Sequence, residues 1–260
     1  MPPPTNRTPR LMTVLTKSWM TPNMIRVTLS ADWIKTLDAG IEGAHFKLFI
    51  PERGQSVDEF AQQLSNGPRP SVRTYTIRFI RVEVGEIDVD FVDHGDAGPA
   101  STWARACKPG DVAGFAGPGT VKLQSFFADA YVLAADMSAL AVVAATLEAM
   151  PRDAKGLAFI EITSPEDQQV IDAPVGVTID WIIQPSPHQP SVQSVEKIKA
   201  LPDFLGSVQT CIAGESAMIK TLREELVNRR GLPKSDMYIS GYWKIGLKED
   251  EHQKAKNKAA

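Results

Sequence analysis

Arg73-Thr74-Tyr75-Thr76-Ile77-Arg78, followed after a β-alternating stretch by His94-Gly95-Asp96-Ala97-Gly98-Pro99-Ala100-Ser101-Thr102-Trp103-Ala104, is the part of the chain whose reading decides the fold. The first segment reads as an extended strand offering a cation, an aromatic ring and hydroxyls. With a period of two, Arg73, Tyr75 and Ile77 take one side while Thr74, Thr76 and Arg78 take the other. The second segment is a Gly/Pro turn that opens a short helix. Pro99 suits a first helical turn, and the small residues Ala97, Gly98 and Ala100 let a phosphate approach the backbone closely. Ser101 and Thr102 add hydroxyl donors, and Trp103 is equally suited to core or to a cofactor wall. A helix start with spare N–H groups and a positive dipole end is a place for a pyrophosphate. A dinucleotide flavin needs both the strand and the cradle.

Working outward, the chain changes character near Leu123. Before it, six β-like segments at residues 11–19, 24–30, 45–50, 72–82, 86–92 and 111–116 are separated by turn-rich connectors, loops at 52–56 and 65–70 among them. Short strands in succession predict a small antiparallel six-stranded β-barrel. After Leu123, strands at 131–135, 156–162, 177–183, 208–213 and 237–240 alternate with helices at 139–150, 192–201 and 215–229. That alternation predicts a mostly parallel sheet with helices on both faces. The fold class expected is therefore β followed by α/β, with domains at residues 1–123 and 124–246 and a lysine-rich C-terminal appendix at 247–260 that is either a solvated tail or a helical cover. Ligands of parallel sheets lie outside the carboxyl ends of the strands, which directs attention to Ala135-Asp136-Met137-Ser138 and Ala213-Gly214-Glu215-Ser216.

Composition bounds the function. The chain has 260 residues, 43% of them hydrophobic, and a formal net charge of -3, which suits two cores and argues against nucleic acid as the main partner. Cys107 and Cys211 stand in dissimilar contexts without a C-x-x-C or Cys/His cluster, so no metal centre and no disulfide framework are expected. The Pro-rich N-terminus lacks the apolar core of a secretion signal, and the longest apolar stretch, 131–150, is interrupted by Asp136, Ser138, Thr146 and Glu148. A soluble, cytoplasmic protein without a membrane span is expected.

The Arg-x-Tyr-Thr strand on a barrel that precedes a parallel sheet resembles the ferredoxin–NADP reductase superfamily. Together with His45-Phe46-Lys47-Leu48, the His-Gly-x-Ala-Gly-Pro-Ala-Ser segment and Gly241-Tyr242-Trp243-Lys244, it is similar to the siderophore-interacting proteins, FAD-dependent ferric-siderophore reductases. The resemblance implies an NAD(P)H-dependent flavin oxidoreductase in which Tyr75 lies against the isoalloxazine or ribityl chain, Thr76 reaches N5 and Arg73 faces phosphate. It also places His45, Thr74, Val92, His94, Gly95, Ala97, Gly98, Pro99, Ala100, Ser101 and Thr102 around FAD. Asp136, Ser138, Gly214 and Glu215 fall on the nicotinamide side, and Tyr242 and Trp243 near the flavin. The family pattern Gly-Asp-Glu-Thr is replaced here by Ala135-Asp136-Met137-Ser138, which leaves NADH versus NADPH open.

The substrate implied is an anionic ferric chelate. Lys47, Arg78 and Lys244 are its candidate docking cations, Lys244 standing where the family commonly has Arg. The chemistry implied is electron transfer from NAD(P)H through flavin to Fe(III), releasing Fe(II), with no side-chain acid or base required and His45 as the available proton source. The alternatives are a general NAD(P)H:flavin or ferredoxin-type reductase, with ferredoxin as another possible donor, and a non-catalytic siderophore-binding flavoprotein.

Overall fold

The computed structural model describes residues 8–93, 95 and 98–247. The N-terminal arm, His94, Asp96, Ala97 and the lysine-rich appendix beyond Leu247 lie outside the described residues. The chain divides into two compact units between Lys122 and Leu123.

The first unit is built on β1 (Arg10–Thr21), β2 (Met24–Ser30), β3 (His45–Ile50), β4 (Ser71–Thr76), β5 (Phe79–Arg81), β6 (Glu86–Val92) and β7 (Val112–Ala116). They form one seven-stranded sheet in the order β4-β3-β7-β1-β2-β6-β5, every pair antiparallel. Six segments were expected, and the difference lies in 72–82. That segment changes neighbours midway, so that β4 pairs with β3 and β5 with β6. Across the break, Ile77 N donates to Ala44 O and Arg78 N to Asp88 O, each at 2.9 Å. The two edge strands of the sheet are thus consecutive pieces of one chain segment, which curls the sheet round so that its ends meet at the Thr76–Phe79 break.

Alternation along the strands fills the interior. Ile25, Val27 and Leu29 of β2, Phe46 and Leu48 of β3, and Ile87, Val89 and Phe91 of β6 meet in one buried cluster. A helix α1 (Val57–Asn66), which the patterning did not single out, begins at a Ser56/Glu59 capping box. Its Phe60 and Leu64, one turn apart, cover Phe49, Val72 and Val112 on the outer face of the sheet. Helix α2 (Pro99–Ala106) sends Ala100 and Ala104 into the main cluster.

In the second unit, β8 (Ala130–Ala135), β9 (Lys155–Ile162), β10 (Gly176–Ile183), β11 (Val208–Glu215) and β12 (Met237–Trp243) form a sheet in the order β10-β9-β8-β11-β12. All its pairings are parallel. The helices are α3 (Leu140–Ala149), α4 (Gln193–Lys199) and α5 (Ser216–Arg223), the last continued by a π-helical turn at Glu224–Arg229. Residues Leu140 to Leu147 of α3 are all buried, as an apolar helix in the middle of an α/β layer should be. Thr146 is accommodated there by donating to Val142 O at 2.8 Å. No helix among the described residues is long and apolar enough to cross a membrane. The chain runs outward from β8 to β9 and β10, then returns to β11 and β12, which puts the topological switch point between β8 and β11.

Candidate functional site

The β3/β4 register sorts the predicted flavin strand. Phe46 faces Tyr75 and Leu48 faces Arg73, while His45 faces Thr76 and Lys47 faces Thr74. Because Phe46 and Leu48 point into the core, Arg73 and Tyr75 start on the interior side, and His45, Lys47, Thr74 and Thr76 share the outer face. The Tyr75 ring packs 4.4 Å from Phe91, and Phe91 lies 5.7 Å from Trp103 of α2. Trp103 is thereby part of the wall between strand and helix. Arg73 Nη1 donates to Val72 O at 2.8 Å.

On the outer face, Lys47 Nζ donates to Thr74 Oγ1 at 2.6 Å. The His45 imidazole lies against Gly119: a Cβ there would fall 2.2 Å from His45 Cε1. Gly119 N also donates to His45 O at 2.8 Å. Sequence reasoning passed over Gly119, since a glycine in a loop rich in Gly and Pro carries no signal of its own. Val92 ends β6 opposite Met24.

Arg78 corrects an expectation. It is 3% exposed, with Nε 4.0 Å from Asp90 Oδ2 and its guanidinium stacked over Phe79 at 4.0 Å. Its charge already faces a carboxylate that Arg26 also holds through two hydrogen bonds of 2.7 and 2.8 Å. Arg78 therefore belongs to the barrel wall rather than to an accessible docking surface.

Helix α2 starts at Gly98 with Pro99 in its first turn and no side-chain cap from Gly98, and among the described residues a Cβ at Gly98 would meet nothing within 4 Å. An uncapped helix start facing open space suits an anion. Thr102 N donates to Gly98 O at 3.0 Å. Ser101 differs from expectation. Its hydroxyl is buried and directed at Asp93 Oδ1 and Gly95 O, each at 3.1 Å, so it braces the turn. An uncapped helix start, a ring wall and hydroxyls on the adjoining strand are parts that fit FAD.

In the second unit the predicted residues do meet. Asp136 follows β8, and its carboxylate accepts from Ser138 N at 2.9 Å, from the Ser138 hydroxyl and from Trp243 Nε1 at 2.7 Å. Burial pushes the Asp136 carboxyl above the ordinary range against these hydrogen bonds, and the charge of Glu161 adds to the rise. Gly214 has φ +151°, and a Cβ on it would sit 2.7 Å from Asp136 Oδ2, so only glycine lets the β8 and β11 turns touch.

Glu215 caps α5 by accepting from Ala217 N and Met218 N and also accepts Ile245 N at 3.3 Å. Ser216 Oγ donates to Trp243 O at 2.7 Å. Tyr242 shares a 2.9 Å hydroxyl contact with Tyr238, and Lys244 is exposed. Gly241 to Trp243, read as following the last strand, complete β12 instead. Two further residues stand at this edge. Glu161 of β9 is buried and accepts from Ser191 and Ser194 hydroxyls at 2.6 Å each, and His188 presents its ring edge-on to Trp243 at 6.3 Å. A lone acid in the apolar run Gly156–Ile162 was the available signal for Glu161. Among the described residues no group of His, Cys, Asp and Glu is arranged to hold a metal ion.

Comparison with known proteins places these features. The model of the siderophore-interacting FAD-binding domain matches residues 13–122, and that of the siderophore-interacting protein matches residues 128–246. The ferric vibriobactin reductase ViuB of Vibrio cholerae is 29% identical over 255 residues, 96% of this chain and 94% of its own. The crystal structure of the siderophore-interacting protein SipS from Aeromonas hydrophila superposes with a TM-score of 0.84 at 32% identity, covering 98% of this chain and 99% of that one. The ferredoxin reductase of carbazole 1,9a-dioxygenase shares the fold, with a TM-score of 0.64 at 17% identity over 90% of this chain and 67% of its own.

Proposed function

The chain belongs to the siderophore-interacting protein family, and from that premise we propose that it is a ferric-siderophore reductase that takes electrons from NADH or NADPH. The observation that carries the reading is the uncapped Gly98–Pro99 helix start in the same closed barrel as the Arg73–Thr76 strand. Bound FAD would supply the conversion of a hydride donor's electron pair into the single-electron steps that ferric iron accepts.

The chain's own residues bind and orient. The first turn of α2 would hold the pyrophosphate through backbone N–H groups, and Pro99 forfeits none that the helix needs. Tyr75, braced by Phe91, gives a rigid aromatic wall. Thr74 and Thr76 present hydroxyls on the outer face, with His45 and Lys47 beside them. Lys47 is the first unit's docking cation for an anionic chelate, and Lys244 is the exposed one on the second. Arg78 stiffens the wall. No metal-binding side chains are needed, because the iron arrives in its own ligands as substrate. In the second unit, the crevice between β8 and β11 receives the nicotinamide donor, with Asp136, Ser138, Gly214 and Glu215 at its edge.

The test is spectroscopic. FAD-loaded protein under anaerobic conditions bleaches on addition of NADH or NADPH, and the oxidised spectrum returns when ferric catecholate or hydroxamate chelates are added. Failure to bleach with either donor, or bleaching with no recovery from any ferric chelate, rejects the reductase reading.

A further inference from the structure

We propose that Asp93 is a positioning residue that sets the geometry of the pyrophosphate cradle, an inference that rests on the FAD reading above. Asp93 directly follows β6, and its backbone N–H donates to Asn23 O at 2.9 Å, which fixes it to the β1–β2 turn. From that anchored position its Oδ1 accepts from Gly95 N at 2.9 Å and from Ser101 Oγ at 3.1 Å. One carboxylate oxygen thus joins the turn before α2 to the first turn of the helix itself. The Asp93 side chain is 16% exposed, and Arg105 Nη1 of α2 lies 3.7 Å from the same oxygen.

A carboxylate beside a phosphate cradle is electrostatically adverse. Two features offset the cost here: the oxygen is occupied by two donors, and Arg105 supplies a counter-charge from the last turn of the same helix. What Asp93 contributes is therefore acceptor geometry. Deleting it removes an acceptor of the buried Ser101 hydroxyl and the acceptor of Gly95 N, which loosens the turn from the helix. A shift of a few tenths of an ångström at the helix start is enough to misalign the N–H groups that a pyrophosphate would meet.

Position and charge make opposite forecasts for one substitution. Asp93→Asn keeps an Oδ1 acceptor and removes the negative charge, whereas Asp93→Ala removes both. The experiment measures FAD and riboflavin dissociation constants for the full chain and for Asp93→Ala, Asp93→Asn and Ser101→Ala, with far-ultraviolet circular dichroism on each. Riboflavin lacks the pyrophosphate, so it reports the ring site alone.

The expected result is about tenfold weaker FAD binding in Asp93→Ala, a smaller loss in Ser101→Ala, near-native binding in Asp93→Asn, and unaltered riboflavin affinity throughout. Unchanged FAD affinity in Asp93→Ala, equal losses for FAD and riboflavin, or tighter FAD binding in both Asp93 variants overturns the inference. If the unaltered chain fails to bind FAD, the functional reading falls first and this inference with it. If the unaltered chain binds FAD and Asp93→Ala binds it equally, only the inference falls.

Discussion

The indole Nε1 of Trp243 donates a 2.7 Å hydrogen bond to Oδ2 of Asp136, tying the end of the last strand to the residue that follows the first strand of the same sheet. Ser216 and Glu215 hold the same terminal segment from the β11 side, through Trp243 O and Ile245 N. The second unit is thereby fastened at its switch point by side chains from three separate strand ends.

Removing that fastening should be measurable. Asp136→Ala leaves the indole N–H and the Ser138 amide without their acceptor, and a loss of about 1–3 kcal/mol is expected in urea unfolding. Trp243→Phe, which keeps a ring and loses only the donor, should cost less.

The same carboxylate predicts a pH dependence. Burial raises the folded-state pKa of Asp136 above its unfolded value, so the native chain holds this proton to higher pH than the unfolded chain does. Its stabilising contribution is complete at or below the ordinary Asp value of about 3.9 and is lost as pH rises through the raised value. Melting temperatures recorded from acid toward neutral pH should fall more steeply in the unaltered chain than in Asp136→Asn. Parallel profiles would contradict this.

Lys47 is an electrostatic lure in the proposed reaction. Lys47→Ala should slow flavin reoxidation by anionic ferric chelates by about tenfold at low salt, with the deficit shrinking as ionic strength rises. A deficit independent of salt would mean that the lysine acts through its 2.6 Å contact with Thr74 rather than through its charge.

Arg230 closes the end of α4. Its guanidinium donates to Glu225 Oε1 and to the carbonyls of Lys199, Leu201 and Pro202 at 2.8–3.0 Å. Lysine cannot reproduce that fork, so Arg230→Lys should destabilise the chain by about 2 kcal/mol, nearly as much as Arg230→Ala, in thermal or urea melts.

The β segments, the later alternation of strand and helix, and the Gly98-Pro99 helix start were legible because each is written in local physics: a two-residue period, a longer helical period, and φ preferences that act over a few residues. Asp93 was not singled out in the sequence, because the donors it meets, Gly95 N and Ser101 Oγ, are delivered by the docking of the helix. Arg78 looked like an accessible cation until the β5/β6 pairing set it against Asp90. Ser101 looked available to phosphate until the helix packed its hydroxyl onto Asp93.

The sequence by itself thus determined most of the elements and their order, because those follow from short-range propensity and periodicity, while the family likeness rested on the resemblance of a few motifs. The tertiary structure alone decided which polar groups stay accessible and which satisfy one another. Strand register and helix docking bring together residues as distant as Asp136 and Trp243, and a buried polar atom takes whichever partner the packing delivers.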